Sequence, residues 1–472
     1  MTWCTRRALV RTAALLPLAA AADCSTGRAD RYFPQHGTAA HRTVAYDLRL
    51  SYDPDSGRLD GRARIDAVAG PALDRVELDL ARLSVHAAEV DGRAARTRQR
   101  QGKLFLEAPR RIAAGAPFTL DVRYRGRPGP LRSPFGSIGW DRTGDRYDGT
   151  LVASQPLGAP SWFPCNDRPD DKAAYTFRIT VPRGHQALAN GTLHERSQDG
   201  RTEVWTYHHP GPMSSYLAAL YTGRFQHEHL PSVTTVGGRP VSLHNAFPPR
   251  LAEAARYDLG RQPEMLRHFT ELFGPYPFES YGAVVVDADL AEPVENQTLS
   301  VFGRNHIDGK RGWETLVAHE MAHQWYGNSV GLSDWRHIWL NEGFATYAEW
   351  LWSEHLGEDD ADTIARRERL SMGRRDQDLC LAEPGPRHIF DNRVYVRGAC
   401  TLHALRLAMG DDRFFPMLRA WHETHRGRTS DTEAFITHAD RHTAQAVRPL
   451  LQSWLYDKAL PELPTGSGLR RV

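Results

Sequence analysis

The chain has 472 residues, a length that suggests two to four domains. Hydrophobic residues make up 41% of it and charged residues 25%, a balance that excludes a wholly disordered or collagen-like protein. Lysine and arginine total 59 against 57 aspartate and glutamate residues, and this net charge of +2 argues against a dedicated nucleic-acid binder, which needs a basic surface.

The cysteines do not indicate a cysteine-based scaffold. No two of them have C-x-x-C spacing, so the sequence contains neither a zinc ribbon nor a thioredoxin-type dithiol. Five cysteines are also too few for a disulfide framework in a chain of this length. A bridge between Cys380 and Cys400 is left open, because pairing cannot be read from a sequence.

Residues 1–30 have the features of an export signal. Basic residues precede an apolar run of about ten residues, Ala13–Ala22, whereas a helix needs roughly 20 to span a bilayer. Arg6 and Arg7 resemble a twin-arginine signal, which exports folded proteins. Cys24 follows this run as in a lipoprotein cleavage site, but an aspartate stands where a small residue is expected, so lipid attachment is left open. We expect an exported protein, extracellular or at the cell surface, with no transmembrane span; a cytoplasmic protein is the alternative.

Residues 31–235 are predicted to form an all-β, sandwich-like domain. Val44–Tyr52 alternates apolar and polar side chains and meets the turn sequence Asp53–Gly57. Similar short runs recur between turn residues, a spacing that is typical of a sandwich. They are Val76–Leu80, Phe118–Val122 and Tyr175–Val181.

Residues 236–472 are predicted to be mainly helical, which makes the chain a multidomain α+β protein. A short apolar run, Ala283–Val286, is predicted to be a buried strand. The predicted helices are Pro249–Phe273, Trp313–Tyr326, Asn341–Leu356, Asp411–Arg419 and Arg448–Asp457.

The sequence H-E-M-A-H at 319–323 lies on one of these helices. Side chains four residues apart lie about 40° apart around a helix axis, so His319 and His323 can reach one ion. Glu320 lies beside them, where it can take a proton from water at the metal. A catalytic zinc needs a third protein ligand and an open position, and Glu342, nineteen residues after His323, is the best candidate. We therefore predict one zinc ion held by His319, His323 and Glu342.

Glu349 follows Glu342 by seven residues and returns to the same face of the predicted helix. A carboxylate there can orient a ligand histidine. It can equally form a plain surface ion pair, and the sequence leaves both roles open.

These residues resemble the aminopeptidase N and leukotriene hydrolase family of zinc metallopeptidases, which are gluzincins. In that family H-E-x-x-H is followed after eighteen residues by a glutamate within N-E-G-F-A, and Asn341–Ala345 matches this motif. The family's G-x-M-E-N strand corresponds to Glu292–Asn296. Glu295 and Asn296 match it, whereas the glycine and the methionine are replaced.

Two further family features can be compared. The family's Y-x-K-G motif corresponds to Tyr395–Gly398, with Arg397, to which we assign no role, in place of lysine. In the N-terminal domain, Gln155 resembles the family's substrate-facing glutamine, and Pro164–Ala173 resembles the P-C-x-D-x-P-x-x-K-A segment after it. The resemblance runs from about residue 40 to about residue 460.

The resemblance implies a thermolysin-like catalytic domain after the β domain, with zinc as its cofactor. It implies that Glu320 is the general base on a zinc-activated water and that Tyr395 donates a hydrogen bond to the oxyanion. Glu295 would pair with the substrate ammonium, so that the enzyme measures from a free N-terminus. Gln155 and Asn296 would assist in binding the substrate.

The length suggests a short form of the family. Larger members carry a further helical domain over the active site, and only 77 residues follow Tyr395 here, so we expect two domains and a more open cleft. The predicted function is that of a monomeric zinc aminopeptidase acting on peptides. A gluzincin endopeptidase and a non-catalytic peptide-binding scaffold are the alternatives, and intact catalytic residues weigh against the scaffold.

Overall fold

The computed structural model describes residues 29–144, 149–234 and 239–465. Nearly all of the predicted leader, with Cys24, lies outside these residues, so export and lipid attachment stay predictions. The predicted domain boundary, between residues 235 and 236, also lies outside them and stays a prediction, although the strand Gln226–Thr234 before it pairs with Pro240–Phe247 after it. Within the described ranges a β-rich domain precedes a mainly helical one, which confirms the predicted fold class.

Sixteen strands form the β-rich domain in the described part of the chain. In chain order they are β1 (His41–Asp53), β2 (Arg58–Ala69), β3 (Leu73–Asp79), β4 (Ser84–Val90), β5 (Arg93–Ala94), β6 (Thr97–Arg100), β7 (Lys103–Ile112), β8 (Pro117–Gly126), β9 (Leu131–Ser133), β10 (Gly136–Thr143), β11 (Gly149–Ala153), β12 (Lys172–Pro182), β13 (Gln186–Ala189), β14 (Thr192–Asp199), β15 (Thr202–Ser214) and β16 (Leu220–Gly223).

These strands form three sheets, and aromatic side chains lie between the first two. The orders are β14-β15-β12-β1-β2-β8-β4-β5, β13-β16-β11-β10-β9 and β3-β7-β6. Trp140 on β10 packs edge-on against Tyr52 on β1, with ring centroids 5.1 Å apart. Trp162 stacks on Phe177 of β12 at 6.5 Å. Aromatic pairs of this kind stabilise a core beyond the area that they bury, and they join the first two sheets into a sandwich.

The mainly helical domain combines a four-stranded sheet with helices. The sheet has the order β17-β18-β19-β20, and β19 is the predicted buried strand. No helix in the described ranges has the length and apolar character that a membrane span requires. The strands are β17 (Gln226–Thr234), β18 (Pro240–Phe247), β19 (Ser280–Val286), β20 (Leu299–Gly303), β21 (Gly331–Leu332) and β22 (Thr429–Ser430), and the helices are α1 (Ala252–Leu259), α2 (Gln262–Phe273), α3 (Glu314–Ala322), α4 (Trp339–His355), α5 (Ala361–Met372), α6 (Asn392–Met409), α7 (Asp411–His425), α8 (Thr432–Arg441) and α9 (Val447–Tyr456).

The prediction of one continuous helix over Pro249–Phe273 is wrong. Two helices, α1 and α2, replace it and meet at Gly260 and Arg261. Pro263 lies in the first turn of α2, where its missing N–H would be unpaired in any case. A proline inside a longer helix would remove a hydrogen bond and clash with the preceding turn, so a new helix begins here.

Two glycines let α4 and α6 approach each other closely. A Cβ on Gly343 would lie 2.8 Å from the Cα of Gly398, and a Cβ on Gly398 would lie 2.6 Å from the Cα of Gly343. No other residue fits at this crossing without moving a helix. The crossing brings the N-terminal end of α6, which carries Tyr395, against the helix that carries Glu342.

A buried lysine connects the two domains. Lys172 begins β12, and its Nζ donates to the carbonyls of Asn328 at 2.7 Å and Ser329 at 2.9 Å, just beyond the end of α3. Burying an ammonium group is costly unless hydrogen bonds compensate it. These contacts therefore fix the β-rich domain to the turn that follows the metal-motif helix.

Arg397 stabilises the fold around the C-terminal end of α9. The buried Arg397 side chain donates to backbone carbonyls around the C-terminal end of α9, including Trp454 at 2.8 Å. Helix C-termini carry unpaired carbonyls, and a guanidinium group satisfies several at once. Cys380 and Cys400 are free thiols, so the bridge left open by the sequence is not formed.

Candidate active site

His319 of α3, His323 directly after its last residue, and Glu342 of α4 converge on a single point. The Nε2 atoms of His319 and His323 lie 3.5 and 3.4 Å from Oε2 of Glu342, and the three ligand atoms lie within 4.8 Å of one another. All three residues are buried. Two imidazoles and a carboxylate, with one position left for water or substrate, are a donor set of catalytic zinc. The predicted ligands therefore come together and fit one zinc ion.

The second nitrogen of each ligand histidine is bonded to a neighbouring group. His319 Nδ1 lies 2.7 Å from Oε1 of Glu349, and His323 Nδ1 donates to the carbonyl of Tyr326 at 3.1 Å. Because a carbonyl only accepts, His323 carries its proton on Nδ1 and leaves Nε2 free for a metal. Such partners orient a ligand ring and raise its basicity. Of the two roles left open for Glu349, the structure shows the contact with His319.

Glu320 is a buried carboxylate without a hydrogen bond at Oε2. Burial raises the pKa of Glu320 to about 8, although the nearby His319 and His323 act in the opposite direction. A buried, unpaired carboxylate oxygen is costly unless water or a substrate group reaches it. The donor set beside it and this free oxygen together match a metal site that activates water.

Gln155 brings the β-rich domain into the site. Its Nε2 donates to Oε1 of Glu295 at 2.8 Å and lies 3.4 Å from Oε1 of Glu342. Burial raises the pKa of Glu295, partly offset by His323. Burial also acts to raise the pKa of Glu342, but the two imidazoles prevail and hold it at about 2. Glu342 is thus an anionic ligand, and Glu295 is a second buried carboxylate beside it.

The backbone of Glu295 is fixed by two amides that sequence reasoning missed. Gln324 and Asn328 donate to the Glu295 carbonyl at 3.3 and 2.6 Å, and Gln324 also accepts from the Thr298 amide at 2.8 Å. Both amides lie within five residues of His323, in the turn after α3. They therefore couple the position of Glu295 to the end of the helix that carries the metal ligands.

Asn296 makes its hydrogen bonds away from the other predicted site residues. Its fully buried amide donates to the carbonyl of Val152 at 3.3 Å and to the hydroxyl of Tyr221 at 2.5 Å. Both partners belong to the β-rich domain. The structure thus shows Asn296 joining the Glu295 segment to β11, the strand that leads to Gln155.

Tyr395 lies beside the metal ligands on α6. Its ring stacks on His319 with centroids 6.1 Å apart and an interplanar angle of 22°. Burial, together with the carboxylates of Glu342 and Glu295, raises the pKa of Tyr395 well above its usual value. The hydroxyl therefore stays protonated and is available as a hydrogen-bond donor.

Comparisons with known proteins agree with this geometry. The family models described as Peptidase M1 N-terminal domain and Peptidase family M1 domain match residues 42–217 and 257–454. Aminopeptidase M1-A of Oryza sativa is 25% identical over 460 residues, covering 90% of this chain and 51% of that protein. Aminopeptidase M1 of Arabidopsis thaliana is 27% identical over 345 residues, covering 68% of this chain and 38% of that protein. The chain thus spans about half or less of the length of these curated relatives.

One solved structure matches over nearly its whole length. It is a variant of the M1 zinc metallopeptidase from Deinococcus radiodurans, bound to a Tyr-Ser-Ala substrate. Its sequence is 30% identical, the TM-score is 0.85, and the match covers 92% of this chain and 98% of that one. With both family models matched in the expected order, the chain belongs to peptidase family M1.

Proposed function

We propose that this protein is a zinc-dependent aminopeptidase that removes the first residue of peptides with a free amino terminus. The observation that carries the proposal is the Glu295 carboxylate, buried beside the metal ligands and bonded to Gln155. An ammonium group is the natural partner of such a carboxylate, since an unpaired buried charge is costly. The names of the relatives and the peptide bound to the Deinococcus protein support the same reaction.

Glu320 is the proton carrier in this proposal. Zinc bound by His319, His323 and Glu342 would polarise a carbonyl group and lower the pKa of water to about 7. The charge of the bound zinc would lower the pKa of Glu320, so that its carboxylate accepts the proton of the attacking water and then returns it to the leaving amine. Its buried position, one residue from His319, and its unpaired Oε2 suit a group that holds a proton only briefly.

Tyr395 and Glu295 act at the two ends of the first residue. The Tyr395 hydroxyl donates to the oxygen that gains negative charge as the carbonyl is attacked, a contribution of about 3–4 kcal/mol on the scale of oxyanion-hole donors. Glu295 holds the ammonium group, with Gln155 keeping its carboxylate in place. Because Gln155 Nε2 contacts both Glu295 and the ligand Glu342, the proposed anchor lies at the metal site, and only the first carbonyl of a peptide so anchored would reach the metal.

The test is hydrolysis of aminoacyl fluorogenic amides beside their N-acetylated forms, with and without a chelator and after zinc is added back. We expect chelator-sensitive cleavage of the free-amine set alone, restored by zinc. Cleavage of acetylated peptides would indicate the endopeptidase instead. No cleavage by a folded, zinc-loaded protein would indicate a peptide-binding scaffold.

A matched pair of variants tests the anchor itself. Glu295→Gln removes the charge and keeps the volume, so it should abolish the preference for free over acetylated substrates. Glu253→Gln, an exposed acid on α1, should leave that preference unchanged. An unchanged preference in Glu295→Gln would place the ammonium anchor elsewhere.

We also propose, on the leader sequence alone, that the protein is exported. A twin-arginine-type signal would carry it across the membrane folded, and Cys24 would then be the point of lipid attachment if the leader is cut before it. Mass spectrometry of the protein from its native host would show the mature N-terminus and any lipid. Size-exclusion chromatography with light scattering would test the proposed monomer.

A further inference from the structure

The chain makes a strained turn directly after the proposed anchor Glu295. The Leu299 amide donates to the carbonyl of Asn296 at 2.8 Å, which closes a turn of four residues. The third of them, Thr298, has φ 67°, in the left-handed region that favours glycine. A β-branched residue adopts this conformation at a cost, and it persists only where the surrounding structure holds it. The groups around the turn therefore determine its shape.

Both domains hold the backbone of this turn. The Thr298 amide donates to Oε1 of Gln324, in the turn after α3, at 2.8 Å. The Gly191 amide of the β-rich domain donates to Oγ1 of Thr298 at 2.8 Å. Asn190 of the same domain donates through Nδ2 to the carbonyl of Gln297 at 2.7 Å. Two of these three contacts thus come from the β-rich domain.

The side chain of Gln297 is bonded to a histidine of the β-rich domain. Gln297 Nε2 lies 2.7 Å from Nε2 of His209, on β15, and also donates to the carbonyl of Pro212 at 3.2 Å. An amide nitrogen only donates, so His209 Nε2 is the acceptor and the ring proton is on Nδ1. Both side chains are buried. Among the residues that the structure describes, Gln297 is the only hydrogen-bond partner of the His209 ring.

We propose that His209 is a positioning residue for Glu295. By accepting from Gln297 it holds the strained turn, and the turn fixes where the Glu295 carboxylate lies relative to the metal ligands. Without this acceptor the buried amide of Gln297 loses a partner, which is costly, and the turn relaxes towards the extended backbone that Thr298 prefers. Glu295 then moves with it. The proposal rests on the aminopeptidase function above and assigns the position of its ammonium anchor to the β-rich domain.

The experiment compares the zinc-loaded wild type with His209→Leu, which lacks an acceptor, and with His209→Gln, whose side-chain oxygen can accept instead. His41→Leu is the matched control, because His41 is also buried in the β-rich domain and its ring has no hydrogen bond to any described residue. On alanyl amides, His209→Leu should raise KM about tenfold with little change in kcat, a modest effect for a weakened hydrogen bond to a charged group. Its preference for free over acetylated substrates should fall. His209→Gln and His41→Leu should behave as the wild type.

A double variant separates positioning from a purely structural role. Because His209 acts through Glu295, His209→Leu added to Glu295→Gln should change KM no further. A purely structural role would instead lower the active, zinc-loaded fraction and leave KM and the preference unchanged. Wild-type KM and preference in His209→Leu, or a full further loss in the double variant, would overturn the role of His209 while leaving the aminopeptidase intact. An unchanged preference in Glu295→Gln would reject the anchor and His209 together.

Two further measurements cover the remaining outcomes. If His209→Leu does not fold, Gln297→Met removes the donor of the same bond and is judged by the same results. If the wild type cleaves no free-amine substrate, the aminopeptidase proposal fails, and calorimetry of Ala-Ala-Ala with Glu320→Gln decides about His209. Weaker binding after His209→Leu is added would support its role, and equal binding would overturn it.

Discussion

Replacing Gly398 with alanine should displace Tyr395 while leaving zinc bound. The new Cβ would lie 2.6 Å from the Cα of Gly343, whereas ordinary carbon–carbon contacts are about 3.5–4.0 Å. The N-terminal end of α6 must therefore move away from α4 by about 1 Å. Overpacking of this kind costs about 1–3 kcal/mol of stability, and a 1 Å misplacement of a catalytic group costs about 100-fold in rate.

The expected result is a folded Gly398→Ala protein with about 100-fold lower kcat and one zinc per chain, because the metal ligands lie on α3 and α4. The assay combines kcat and KM on an aminoacyl amide, zinc content and thermal unfolding. Gly373→Ala is the matched control, since its Cβ would meet no atom closer than 3.5 Å at a right-handed helical position. Wild-type kcat in Gly398→Ala would refute the reasoning, and loss of zinc with kcat would show that the crossing supports the metal rather than Tyr395.

Other perturbations address single groups. Glu349→Ala should weaken zinc binding about 10- to 100-fold in chelator competition, and an unchanged affinity would leave its contact with His319 without a role. Glu320→Gln should keep zinc and lower kcat by about 10²–10⁴, and retained turnover would remove it as the base. Tyr395→Phe should lower kcat with little change in KM, so that a pure KM effect would contradict the oxyanion role. Burial lowers the pKa of His209 to about 4, with Lys172 acting in the same direction. Below pH 6.5, His209 is protonated in the unfolded chain but stays neutral in the folded protein. The free energy of unfolding should therefore fall by up to about 3 kcal/mol between pH 6.5 and 4. Urea unfolding should show a smaller loss in His209→Gln, and equal slopes would exclude His209 as a source.

The metal triad could be predicted from the sequence because helix geometry alone decides which side chains share a face. His319 and His323 are one helical turn apart. Glu342 could be added as the third ligand because it lies on the next predicted helix, nineteen residues after His323. The alternation of β1 was equally informative, since Tyr46, Leu48, Leu50 and Tyr52 are all buried. Both features depend only on the period of a helix or a strand, and not on contacts between distant segments.

The supporting contacts could not be predicted, because they join segments that are distant in the chain. Arg397 donates to the carbonyl of Trp454, 57 residues away, and no local sequence pattern predicts such a partner. The predicted helix over Trp313–Tyr326 ends at Ala322 because the chain turns there, with Gly327 at φ 121°. A side chain at Gly327 would also meet His323 Nδ1 at 3.2 Å. The amides of Gln324 and Asn328 face Glu295 only as a result of that turn.

Because Lys172 joins the two domains, we expect ligand binding at the site to stabilise both domains together. Lys172 and Gln155 both come from the β-rich domain, yet one holds the turn after α3 and the other holds Glu295. A ligand present at 100 times its Kd stabilises the state that binds it by about 2.7 kcal/mol. This free energy stabilises every segment that must be ordered for the ligand to bind, in both domains. Binding of a peptide should therefore increase the protection from amide exchange in β11 and β12 of the β-rich domain as well as in α3.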